Sequence, residues 1–74
     1  MKSETENKIE YIIALIHEFG KAHNLQDNQA WMYIKRFGGI ELIDNNYNFI
    51  HTQSFSSVIS DLTIYINNKG GKIK

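Results

Sequence analysis

Apolar residues in this chain recur at three- and four-residue steps in three separate stretches, and no stretch alternates with period two for long enough to argue a strand. Such spacing gathers side chains on one side of an α-helix, so the chain must bury helix faces against one another. In the first stretch Ile9, Ile12, Ile13, Ile16, Phe19 and His23 line one face, with Glu6, Glu10, Glu18 and Lys21 outside it, over about five turns of ~3.6 residues. Residues 24–27 form a loop in which Asp27 is the expected N-cap of a second helix, whose stripe is Ala30, Ile34 and Phe37, flanked by Trp31 and Tyr33. Gly38 supplies its left-handed end. After Gly39, Ile40 to Asp44 make a short third helix. Thr52 or Ser54 caps a last one, in which Phe55, Val58, Ile59, Leu62, Tyr65 and Ile66 share a face and Ser57, Ser60, Asp61 and Asn67 point to water. Lys69 suits the negative end of that helix and Gly70-Gly71 closes it. The expected fold is all-α: a compact bundle of three longer helices plus one short helix, one domain over residues 1–74 with flexible tails at about 1–5 and 70–74.

Composition then removes whole classes of function. Seventy-four residues bury only about 60% of the surface the unfolded chain exposes, which leaves no room for an enclosed substrate cavity beside a core. Apolar residues at 42% and charged residues at 22% are those of a folding chain and not of a disordered tail. Eight basic and eight acidic residues cancel, so no global field draws the protein to nucleic acid or to anionic membrane; only Lys69, Lys72 and Lys74 gather locally. Without cysteine there is no disulfide, thiolate metal site or thiol catalysis, which fits a reducing cytoplasm. The longest apolar run, Tyr11 to Ile16, is far short of the roughly 20 residues that span a membrane, and the acidic start of the chain is no signal peptide.

One segment is not explained by periodicity: Tyr47-Asn48-Phe49-Ile50-His51-Thr52-Gln53, a polar and aromatic hinge that admits a short extended piece at Tyr47 to Ile50. His51 beside a hydroxyl and a carboxamide has the chemistry of a base or a ligand, but no neighbour in sequence completes a site. The alternative is structural, with a ring nitrogen on a backbone carbonyl and Thr52 as a cap. The serines that follow sit in no Gly-x-Ser-x-Gly elbow. His17 and His23, six residues apart, fall on different sides of a helix and make no metal pair, and no cofactor is implied; Glu10 and His17 share a solvated side. Helix two, the Gly38-Gly39 turn and helix three mimic a helix-turn-helix, but Glu41 and Asp44 would face phosphate where cations are required. Met32 lies opposite Ala30 and Ile34, and Ile64 opposite Leu62, so these two are the candidate interface for a protein partner or a second copy.

Taken in order, Tyr11-Ile12-Ile13, Phe37-Gly38-Gly39-Ile40, Ile43, Tyr47, Ile50-His51-Thr52-Gln53 and Tyr65-Ile66 make this chain resemble the small bacterial proteins grouped as domain-of-unknown-function family 3791, from about Ile9 to Asn68. The most specific element is His51-Thr52-Gln53 at its distance before the last helix. One departure is Phe55-Ser56-Ser57, where that family is usually acidic. The resemblance implies a compact bacterial protein whose gene neighbours one for an ADP-ribosyltransferase-like protein. The resulting expectation is a small, cytoplasmic, non-enzymatic protein-interaction or regulatory accessory module with a protein partner or a second copy, without nucleic acid, membrane or cofactor. The alternatives are a helix-turn-helix-like transcriptional regulator and, further off, a small enzyme using His51.

Overall fold

The computed structural model describes residues 3–71. Among them the chain forms five helices, α1 (Glu4–His23), α2 (Asp27–Arg36), α3 (Gly39–Asn45), α4 (Tyr47–Ile50) and α5 (Phe55–Asn68), and no strand. The all-α expectation holds, with one change: the hinge holds a one-turn helix, α4, in place of an extended piece. Asn46 explains it. Its side-chain amide donates to the Leu42 carbonyl at 2.8 Å, ending α3, while its own carbonyl accepts from Phe49 and Ile50 at 3.1 and 2.9 Å and starts α4. A residue that closes one helix and opens the next leaves no room for extended backbone between them.

The helix ends are set by local hydrogen bonds. Ser3 Oγ accepts from the Glu6 N–H at 3.1 Å, and Glu4 and Glu6 add negative charge where the helix dipole is positive. At the other end Asn24 adopts φ 57° and lets the Leu25 N–H reach the Gly20 carbonyl at 2.7 Å. The N-cap of α2 is Gln26 and not Asp27: the Gln29 side chain accepts from the Gln26 N–H at 2.9 Å, which frees the Asp27 carboxylate for a different partner. Of the two candidates for α5, Ser54 is the cap, its hydroxyl accepting from Ser57 at 3.2 Å. Gly38 at φ 79° ends α2 as expected, and Gly71 N–H to Ile66 O at 2.9 Å closes α5. Helix α1 begins at Glu4, inside a stretch expected as a tail, and Gly71 is buried; residues 1–2 and 72–74, including Lys72 and Lys74, lie outside the described residues.

The core is Leu15, Ile16 and Phe19 of α1, Ala30 and Ile34 of α2, Ile43 of α3, and Val58, Leu62 and Ile66 of α5. The faces expected for α2 and α5 are the ones buried. For α1 the face is turned: Leu15 and Phe19 are at its centre, and Ile9 and Ile13 are exposed. Helix α2 is ten residues long and follows α1 from Gly20, beside Ala30, to Ile13, beside Trp31; Ile9 lies past its reach. Meanwhile α3, α4 and α5 approach from the side of Tyr11 and Lys8, drawing that flank inward. At ~25 cal/mol per Å² of apolar surface buried, the favourable face of α1 is the one that meets both groups of helices.

Glycine sets how closely the short helices come. Gly39 at the start of α3 is buried, and a Cβ there would lie 2.7 Å from Ile34 Cγ2 and 3.2 Å from Leu62 Cδ1. Gly39→Ala is therefore expected to cost about 1–3 kcal/mol, the range for overpacking a filled core. Urea unfolding measures it, and a change below about 0.5 kcal/mol, that of an ordinary surface site, would contradict this packing.

Candidate interaction surface

The hinge residues divide into two roles. His51 is exposed; its Nδ1 lies 2.8 Å from the Tyr47 carbonyl, which can only accept, so Nδ1 carries the proton. Its ring stacks on Tyr47 with centroids 4.7 Å apart and planes 14° from parallel. Thr52 donates its hydroxyl to Phe49 O at 2.7 Å, closing α4. Both side chains hold their own turn. Gln53 instead lines a cleft between α3, α4 and α5, with Leu42, Ile50 and Val58 among its neighbours. The structure thus brings His51 and Thr52 to the backbone of α4 and Gln53 to a different surface.

The other two histidines also have defined partners. His17 Nδ1 meets Asp27 Oδ1 at 2.9 Å, tying α1 to the first residue of α2 across an exposed site. Spacing puts Glu10 on the same solvated side as His17; the acid that meets His17 is Asp27, released from capping. His23 Nε2 lies 2.8 Å from Thr63 Oγ1, whose single proton goes to Ile59 O at 2.7 Å. The threonine oxygen therefore accepts from an Nε2–H, and the pair joins α1 to α5. Among the described residues no group of three His, Cys, Asp or Glu gathers as metal ligands would, and no helix is long and apolar enough to cross a membrane.

Helices α1 and α2 meet along a seam at Ile13, Ile16 and Trp31, and Ile9 and Ile13, expected on the buried face of α1, are exposed. Ile9 is 52% exposed, Ile13 62% and Trp31 38%. Ile13, Ile16 and Trp31 line a shallow groove with Asp27 and Asn28, and Lys35 Nζ lies 5.9 Å from the Trp31 ring centre. Periodicity did not find this surface because a helix with apolar residues on more than a third of its circumference does not say which part is covered. The outward placing of Met32 and Ile64 is observed: they are 64% and 60% exposed. Met32 lines a groove of α2 with Gln29, Tyr33, Lys35 and Arg36, to which Ile64 does not contribute.

Lys8 and Tyr11 clamp α1 to the α3–α4 corner. Lys8 Nζ meets Asp44 Oδ1 at 2.9 Å, and Tyr11 packs edge-on to Tyr47 at 5.6 Å and against Phe55 at 5.4 Å, with its hydroxyl 3.4 Å from Ile50 O. The hydrogen bond to Asp44 raises the Lys8 pKa, and partial burial raises that of Tyr11.

A profile for a family described as "Protein of unknown function (DUF3791)" matches residues 10–69. Neither curated proteins nor solved structures match the chain.

Two expectations follow from this geometry. Met32→Lys and Ile64→Lys should each change stability by no more than about 0.5 kcal/mol, whereas Ile34→Ala, at a fully buried position of α2, should cost about 2–5 kcal/mol. Thermal unfolding of the three variants separates these ranges. The clamp also sets a pH response. A pKa raised on folding stabilises the native state below the unfolded value and loses that contribution as pH rises through the folded one, so Lys8 and Tyr11 both predict declining stability above about pH 10. Urea midpoints from about pH 8 to 11 should fall less steeply in Tyr11→Phe than in the parent; equal slopes would remove Tyr11 from the account.

Proposed function

The chain belongs to the DUF3791 family, and from that premise we propose that it is a non-enzymatic protein-interaction module of bacterial origin, acting in the cytoplasm as an accessory to a larger partner. The observation that carries this reading is the α1–α2 seam, where Ile13 is 62% exposed and Trp31 38% although their neighbours Ile16 and Ala30 are buried. An aromatic and an aliphatic anchor in one groove, edged by Asp27 and Asn28 with Lys35 beside the Trp31 ring, have the composition of a protein interface, with an apolar centre and a polar edge. Each histidine is engaged by a carbonyl, a carboxylate or a hydroxyl in a contact that fixes a turn or joins two helices, which favours binding over catalysis. The acidic Glu41 and Asp44 on α3 weigh against a helix-turn-helix regulator. The partner class implied by the family resemblance is an ADP-ribosyltransferase-like protein.

Affinity purification from the native host tests the proposal when parent and Ile13→Lys are compared side by side. The variant should fold within about 0.5 kcal/mol of the parent, as an exposed site does. It should lose a partner that the parent retains, with affinity lowered about tenfold or more, since an apolar anchor contributes ~1.4 kcal/mol or above at the centre of a contact. Retention of the same partners by the variant would move the interaction away from this seam.

A further inference from the structure

Charge is unevenly distributed along this neutral chain. No Lys or Arg occurs from Phe37 to Asn68, a span that holds Glu41, Asp44 and Asp61. Lys8 reaches across to bind Asp44. Asp61 is the one charged residue of α5, and among the described residues no cation pairs with it. It stands at the rim of the cleft between α3, α4 and α5.

That cleft has about 240 Å³ of free volume above the buried side chains of Ile43, Val58 and Leu62, and Phe49, 68% exposed, forms part of its rim. A volume below the roughly 300–1,000 Å³ of small-molecule sites suits one or two protein side chains better than a cofactor. Its polar groups are biased toward accepting hydrogen bonds. The Asn46 amide nitrogen donates one hydrogen to Leu42 O and its oxygen is an acceptor, and the Asp61 carboxylate can only accept. Gln53 supplies an adaptable carboxamide on the same rim. Apolar depth beside an unbalanced carboxylate selects an occupant that is apolar and positively charged at once.

We propose that this cleft is a second binding site, distinct from the α1–α2 seam, which takes a large apolar side chain next to an Arg or Lys from an exposed segment of another protein. The apolar group enters over Val58 and Leu62, and the cation stays at the rim against Asp61. Guanidinium suits this edge because its fork of donors can meet the carboxylate and a neighbouring amide oxygen together.

The test uses the full chain and a blocked hexapeptide, Ala-Leu-Arg-Leu-Arg-Ala, with a twin in which citrulline replaces each arginine. Backbone amide NMR titration should show the arginine peptide shifting Leu42, Phe49, Val58 and Asp61. The twin, matched in shape but uncharged, should bind about threefold to tenfold more weakly, the range for a solvent-accessible ion pair. Asp61→Asn, an exposed substitution that leaves the core intact, should bring the two peptides to equal affinity, and raising salt from about 20 to about 200 mM should narrow their difference in the parent. Equal binding of both peptides to the parent, or shifts clustered on Ile13 and Trp31, would overturn the proposal. So would a parent that self-associates and is made monomeric by Asp61→Lys, since the occupant would then be a second copy. Because Ile13→Lys leaves the cleft untouched, each site can fail without the other.

Discussion

Close approach of short helices is the constraint on which this structure depends. With helices of ten, seven and four residues beside the two longer ones, apolar surface is scarce, and full burial requires backbones to come nearly into contact. Three glycines permit it. A Cβ on Gly20 would stand 2.8 Å from Leu25 O and 3.4 Å from Ala30 Cβ; one on Gly39 would strike Ile34, and one on Gly71, at the end of α5, would lie 3.2 Å from Tyr33 Cε1 of α2. Gly20 is therefore no helix stop, although glycine usually punctuates helices. It is the place where the Leu25 turn and α2 close onto α1, and Phe19 beside it is fully buried as a result.

The same economy explains where function has room to reside. Among the described residues, nine buried apolar side chains occupy the meeting point of the helices and leave the remaining apolar side chains to the edges. Those edges are of two kinds. The α1–α2 seam is apolar with charges of both signs around it, whereas the α3–α5 cleft lies in a span without Lys or Arg. A neutral net charge hides this division, because every Lys and Arg falls within residues 2–36 or 69–74, whereas Glu41, Asp44 and Asp61 lie in the span between.

The hinge shows how a conspicuous motif can distribute its residues. His51 and Thr52 each return a side-chain hydrogen bond to a carbonyl of α4, at Tyr47 and Phe49, and so stabilise a one-turn helix that would be marginal alone. Gln53, next in sequence, lines the cleft instead. Adjacent residues at a turn leave the backbone in different directions, so a motif read as one unit separates in space. Its position in the chain is therefore a better guide than its chemistry to what it does.

What the sequence determined by itself was the class and the blocks: three amphipathic stretches, glycine ends at Gly38 and Gly70-Gly71, the buried faces of α2 and α5, and the outward phase of Met32 and Ile64. These follow from local rules of periodicity and backbone sterics, which act within a few residues. Tertiary structure decided the rotation of α1, the partner of His17, the turn of backbone at Tyr47, and the two exposed apolar surfaces. In α1 isoleucines span too wide an arc for spacing to choose among them, and Asp27 is equally apt as a cap or as an ion partner. Each choice was made by a neighbour distant in sequence: α2 by its length covered Ile16 and left Ile9 in water, while Tyr11 and Lys8 were drawn toward Tyr47, Phe55 and Asp44 by contacts that no local pattern encodes.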